Sequence, residues 1–341
     1  MRDHSLQQAV AAIPSECYAR PAWKACAYIA RAWVLFVISV ALLLRVDHPV
    51  ALLPLWLFSG LAIGGLFVLG HDAAHGALFD SPRLCRAVGR LLLLPSLHAY
   101  EPWVVGHNRL HHGHTGSRGI DFVWHPLTRA EYENLPAVGR LVHRLEWMPG
   151  GAGLYYLRAV WWQRMMRLVP PARLRAAFRR DRLIVWGYVV TMCALTGWMS
   201  VKVVVIPWLV WNLLIGTTVY LHHIGPDLPW HQGRRHQALQ AQVDVTTNYH
   251  LPVWLNLFWQ NIFIHVPHHI DPRIPFHALP RAAAALVPVL GPAVRDRTLR
   301  LADYVRIARR CKLYDFDHNV WTTYAGPTNS PNCSIGAATV S

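Results

Sequence analysis

Charge is what this sequence has least of. Lys, Arg, Asp and Glu together make up 15% of its 341 residues, against about a quarter in ordinary soluble domains. Lysine is nearly missing, with only Lys24, Lys202 and Lys312, and acidic residues number 18. So apolar a balance excludes a disordered chain, which needs a polar composition, and argues against a globule surrounded by water. The six cysteines, Cys17, Cys26, Cys85, Cys193, Cys311 and Cys333, include no CxxC pair. Neither a zinc-finger pattern nor a disulfide framework is present, and a reducing compartment is the default. No haem-binding segment, flavin motif or ferredoxin-type cysteine set occurs, and there is no internal repeat. The first 24 residues are polar and mixed, without a cleavable signal.

What is abundant is apolar. Hydrophobic residues reach 53%, and 16 of the residues are Trp. Four stretches carry almost no charge: Ala32 to Leu44, reaching back to Tyr28 with Arg31 snorkelling at an interface; Val50 to Gly70; Leu183 to Ser200; and Val203 to Leu221. Each is long enough, or nearly so, to cross about 30 Å of hydrocarbon as a helix. The pattern predicts membrane spans at about 28–46, 50–70, 183–200 and 203–221. Of 33 Lys and Arg, only Arg45 and Lys202 fall in the two hairpin turns. Excess positive charge marks the cytoplasmic side, so both termini and the central segment are expected there. Membrane topology thereby accounts for the formal net charge of +15, and nucleic-acid binding loses its main support.

Smaller segments fill in the organisation. Leu91 to Leu97 is too short to span and contains Pro95, which predicts an interfacial or re-entrant helix. Residues 293–312 alternate Arg with Leu299, Leu301, Val305 and Ile307, the pattern of an amphipathic helix. Residues 1–27 read as a cytoplasmic segment, 28–322 as a single membrane domain, and 323–341 as a disordered tail.

Histidine carries the chemistry. Three windows, His71-Asp-Ala-Ala-His75, His107-Asn-Arg-Leu-His111-His112 and His265-Val-Pro-His268-His269, hold 8 of the 21 histidines. On a helix, residues four apart share a face. His71 with His75, and His107 with His111, are therefore expected to aim at one point, while His112 points about 100° away and serves a second centre. His265 and His269 repeat the spacing, with His268 on an adjacent flank. Pro267 suits the first turn of a helix, so the third window is expected to begin one. One of the pair His222–His223, at the end of the fourth span, adds a further ligand. The remaining histidines, among them His98, His114, His125, His143 and His236, read as surface, interface or supporting residues. Imidazole suits iron, copper, zinc and nickel alike. A transporter would place ionisable ligands at mid-membrane, and the four spans carry none.

At these residues the chain resembles the membrane-bound fatty acid desaturases, in particular the acyl-lipid Δ12/Δ15 group, recognised by HDxxH, HxxHH or HxxxHH, and HVxHH boxes. Further likenesses are Asp121, Trp124 and Pro126 downstream of the second box, and the stretch from Tyr220 to Asp227. Asn261, four residues before His265, and the run from Cys311 to Asp315 also match. In the fourth span His223 matches the family histidine and His222 a glutamine, while Gly225 departs from the family pattern by replacing its following histidine. Ala74 stands in the first box where Gly or Ser is common.

The resemblance implies an all-α integral membrane fold, four transmembrane helices with a cytoplasmic helical cap, and a histidine-ligated di-iron site. Its implied ligands are His71, His75, His107, His111, His112, His223, His265, His268 and His269. Asp72, Asp121 and Asn261 are expected behind them, orienting the rings. No separate protein acid or base is implied. The implied reaction uses two Fe ions and O2 to remove two hydrogens from adjacent methylenes of a fatty acyl chain held as lipid, CoA or carrier-protein ester. Electrons come from a separate donor such as ferredoxin or a b-type cytochrome, for which an Arg-rich surface is suited. A hydroxylase, acetylenase or epoxygenase on the same scaffold is the alternative. The preference for Arg over Lys suggests a GC-rich genome and places the protein in a bacterial inner membrane.

Overall fold

The computed structural model describes residues 5–233 and 238–327. It is mostly helical, and four helices are long and apolar enough to cross a membrane. We label them α1 (Ala22–Arg45), α2 (Pro49–Ala74), α3 (Arg175–Thr196) and α4 (Ile206–His223). Proline starts several helices: Pro49 opens α2 and Pro207 lies in the first turn of α4, where the missing N–H has no intrahelical partner to lose. Val34, Val37 and Ile38 of α1 and Leu183, Val190 and Leu195 of α3 are exposed. Soluble helices would carry charge at such positions; these faces belong in lipid.

α2 is the central pillar. Two thirds of its most apolar window is buried, against 17% for α1. It runs beyond its predicted limit of residue 70 and carries the first histidine window inside its last turns. α4 packs beside it, and glycine sets the distance. A Cβ on Gly60 would meet Val210 at 2.7 Å, and one on Gly64 would meet the Trp211 ring at 3.2 Å. On the other side of α4, Gly216 faces the short helix Ala152–Tyr155. A Cβ there would lie 2.4 Å from the Ala152 carbonyl oxygen.

Several expectations are corrected. The segment 91–97 is no helix of its own. The amphipathic helix Pro82–Leu93 ends there, and a turn follows with Leu97 at φ +55°. That turn is buried in protein, its Ser96 and Leu97 carbonyls accepting from the indoles of Trp208 and Trp161. Within 293–312 only Leu301–Arg310 is α-helical. Gly291 and Pro292 break the chain before it, and Arg295–Thr298 pairs as a parallel strand with Thr247–His250. Residues 323–327, assigned to the tail, lie in a small antiparallel sheet formed by Leu313–Asp315, Val320–Thr323 and Gly326–Pro327. Residues 328–341, like His236, lie outside the described residues.

The N-terminal segment is also more than a polar lead-in. Ser5 caps Leu6–Ala11 through a capping box with Gln8, and Ala9 and Cys17 are buried. The Tyr18 hydroxyl donates to Asp271 Oδ2 at 3.0 Å, immediately after the third histidine window.

The glycine contacts predict an unequal response to one methyl group. Gly216→Ala forces apart two backbones and should cost about 1–3 kcal/mol, read as a lower melting temperature in detergent. Gly187→Ala, with nothing within 4 Å of the new Cβ, should leave melting unchanged or raise it slightly through helix propensity.

Candidate metal centre

All nine histidines named from the sequence come together, in two groups. His71, His75, His107, His112 and His268 form one; His111, His223, His265 and His269 form the other. In each group one nitrogen per ring lies within 4.8 Å of the others. The groups touch through His112 and His269, whose rings stack with centroids 4.4 Å apart.

Helix geometry explains the first and third windows. His71 and His75 lie one α-turn apart at the end of α2 and fall in the same group. His265 precedes the short helix α5 (Val266–Ile270), with Pro267 in its first turn. The helix starts cleanly because Asn248 Oδ1 accepts from the backbone N–H groups of His265 and Val266 at 2.8 and 2.7 Å. His265 and His269 share one group, and His268 turns to the other.

The second window departs from the expected geometry. Val104–His111 is a π-helix, and the His112 N–H bonds the His107 carbonyl five residues back at 3.0 Å. A wider turn brings residues five apart onto one face. His107 therefore pairs with His112, their Nε2 atoms 3.2 Å apart, and His111 joins the other group. Asn108 anchors this segment to the first, donating to the Ala74 carbonyl at 2.8 Å.

Five of the nine rings are oriented through Nδ1, each facing an oxygen that can only accept or does so here. His111 faces Asp121 Oδ1 at 2.9 Å, His223 the Val245 carbonyl at 2.9 Å, and His265 the Ile262 carbonyl at 3.1 Å. His269 faces Gln242 Oε1 at 2.9 Å, and His71 faces Asp72 Oδ1 at 3.3 Å. An Nδ1–H directed at oxygen leaves the Nε2 lone pair free to bind. Asp121 also accepts from the N–H groups of Gly116 and Val123. Burial alone would raise its pKa, but His111 beside it, the Val123 N–H and His223 hold it below the usual carboxylate value. Asp72 ties the centre to the chain after α5 by accepting from the Phe276 N–H at 2.7 Å.

Asn261 does not join them. It sits in a left-handed turn at φ +62°; its side chain bonds Asn256 and the Phe276 carbonyl, and no ring. Gln242 orients a ring instead, and its amide also donates to the His112 carbonyl at 2.6 Å. Nothing in the sequence marks Gln242, because it meets its partners across 27 and 130 residues. His222 belongs to neither group, but its ring stacks on His265 at 3.8 Å. His98, 23 residues after the first window, bonds Ser96 and Tyr156 away from both groups.

The arrangement fits two metal ions. Two nitrogens each about 2.1 Å from one ion at right angles stand about 3 Å apart, and the closest pairs here lie at 2.9, 3.2 and 3.1 Å. His268 has neither ring nitrogen paired, and Nε2 of His75 and His223 is likewise unpaired. Such buried orphans are costly without a partner. Burial first, and then mutual repulsion, keeps His107, His112, His265, His268 and His269 well below the ordinary imidazole pKa. They remain neutral, the form that binds metal. An all-imidazole donor set suits first-row transition metals rather than magnesium or calcium.

An apolar pocket adjoins both groups. His71, His111, His223 and His265 form one end, and Phe67, Ile215 and Trp259 lie further along.

The oxygen acceptors predict an order of sensitivity. Asp121→Asn and Gln242→Leu should each weaken metal retention about 10- to 100-fold, measured as metal content after a chelator challenge. Asn261→Gly, which keeps the left-handed turn without strain, should leave retention unchanged.

Comparison with known proteins gives the site a lineage. The sequence model of the fatty acid desaturase family matches residues 47–298, spanning α2, α3, α4 and all three histidine windows. The sn-1 oleoyl-lipid 12-desaturase of Synechocystis sp. is 27% identical over 94% of this chain and 92% of its own length. That of Picosynechococcus sp. is 28% identical over 85% of this chain and 86% of its own. The chloroplastic omega-6 fatty acid desaturase of Glycine max is 28% identical over 84% of this chain and 69% of its own. With the family match covering most of its length, this membrane-helical chain belongs to the fatty acid desaturases, and is an oxidoreductase of that family.

Proposed function

We propose that the protein introduces a double bond into a lipid-linked fatty acyl chain, at the 12 position or its equivalent counted from the methyl end. The observation that carries this reading is the meeting of two all-imidazole groups with one buried-walled apolar pocket. An unactivated alkyl chain needs both, an oxidising metal centre and a dry channel. The relatives' names support the lipid carrier and the position.

In this reading His71, His75, His107, His112 and His268 hold one iron, and His111, His223, His265 and His269 the other. When bound, an iron pair would supply, with O2, two external electrons and two protons from solvent, the oxidising power that takes two hydrogens from adjacent methylenes while O2 leaves as two waters. The protein's own part is positioning. Asp72, Asp121, Gln242 and the Val245 and Ile262 carbonyls fix the Nδ1–H tautomer, so each Nε2 is presented to metal. Phe67, Val68, Ile215 and Trp259 exclude water and hold the chain against the imidazoles.

The one-sided charge of the sequence supports an active site and both termini on the cytoplasmic side of a bacterial inner membrane. Exposed arginines such as Arg109 and Arg144 suit docking of an acidic electron donor, a ferredoxin or a b-type cytochrome.

The test is lipid analysis by mass spectrometry of host cells expressing wild type or His268→Ala. Wild type should yield an acyl species two hydrogens lighter than its precursor, missing from the variant. An acyl species one oxygen heavier would overturn the proposal in favour of hydroxylation or epoxidation, and a variant as productive as wild type would remove the metal assignment.

A further inference from the structure

The cavity follows one face of α4. Ile215, Thr218, Val219, His222 and His223 line it, spaced three and four apart as one helical stripe. From His223 to Ile215 is eight residues, a descent of about 12 Å at 1.5 Å per residue. On the opposite wall Phe67 and Val68 lie one turn below His71. Every lining side chain except Val219 is buried.

The lower end is closed by stacked apolar groups. The next residue on the same stripe below Ile215 is Trp211, which is 0% exposed. Its ring lies 4.8 Å from Phe67 and 6.1 Å from Trp259, and Gly64 leaves the space it occupies. The one hydroxyl on the stripe, Thr218 Oγ1, is turned back onto the Leu214 carbonyl at 2.8 Å. The Tyr156 hydroxyl is engaged by His98 Nε2 at 2.9 Å, so apart from the unpartnered indole N–H groups of Trp103 and Trp211 this end presents apolar surface.

A closed apolar end admits only the apolar end of a substrate. Resting on the desaturase reading, that is the methyl terminus of the acyl chain, since its ester end must stay with water or headgroups. An extended chain with C–C bonds of about 1.5 Å advances about 1.25 Å per carbon, so the descent to Ile215 accommodates a tail of about ten carbons. We infer that Ile215, backed by Trp211, is the stop against which the methyl terminus rests. It sets the site of oxidation by counting from that end, as a specificity-determining residue remote from the reacting carbons.

The test feeds cells expressing the full chain with fatty acids differing in length by two carbons and locates the oxidation in each product. The expected result is a constant count from the methyl end. A constant count from the carboxyl end would overturn the inference. Two substitutions at one position should then act with opposite sign. Ile215→Ala deepens the pocket toward Trp211 and should move the oxidation about two carbons further from the methyl terminus. Ile215→Phe raises the floor and should move it closer or exclude the longer tails. Unchanged positions in both variants, with iron content and melting as in wild type, would also overturn it.

Position is read equally from an alkene or an alcohol, so an oxygenated product would defeat the desaturase reading and still test the stop. A binding measurement covers the case of no turnover. Purified iron-loaded Ile215→Phe should bind a saturated fatty acid about tenfold more weakly than wild type, the loss expected for roughly two methylenes left unburied. Equal affinity would count against the stop.

Discussion

Everything in this molecule is arranged around the convergence of nine imidazoles. Bringing so many lone pairs within a few ångströms is unfavourable unless cations lie between them. The same crowding fixes the surroundings. Five of the rings are held by something that accepts an N–H, because a ring free to flip would offer its proton instead of its lone pair. Each must also be kept from water, which would let it protonate. The buried positions of Asp121, Gln242 and the carbonyls of Val245 and Ile262 answer the first demand. The packing of α2, α4 and the segments crossing above them answers the second.

This convergence explains why the longest helix is also the most enclosed. A span whose only task was anchorage would face lipid, as α1 and α3 do. α2 instead carries two ligand candidates at its end and a wall of the cavity along its side, so it has to be surrounded. Glycines at 60 and 64 let α4 approach closely enough for His223 to reach the centre. The N-terminal segment serves the same end from outside, with Tyr18 holding Asp271 just past α5.

How much of this was legible in the sequence depends on the range of the interaction. The four spans follow from local composition, and the first and third histidine windows from α-helical spacing and a proline in a first turn. The second window was misread because hydrophobic and histidine spacing assume 3.6 residues per turn, and nothing in HNRLHH announces a wider one. Asp121 could be named because it lies ten residues from His111, within a motif that resembled a family. Gln242 could not, since a glutamine becomes an acceptor for His269 only when the chain returns from far away. Asn261 misled for the converse reason: its place before the third window reflects a left-handed turn that its side chain stabilises locally. The strand Arg295–Thr298 escaped notice because its partner lies nearly fifty residues upstream.

The π-helical second window has a consequence for chain length. The boxes of this family occur both as HxxHH and as HxxxHH. On ordinary α-helix the shorter form already places its first and last histidines on one face, four apart, with the middle one turned aside. The longer form carries one more residue, which would swing the final histidine away by a full helical step. Widening the turn absorbs that residue as a bulge, so His107 and His112 meet as the two ends of the shorter box would. In this chain the additional residue is thus an insertion that the wider turn makes silent.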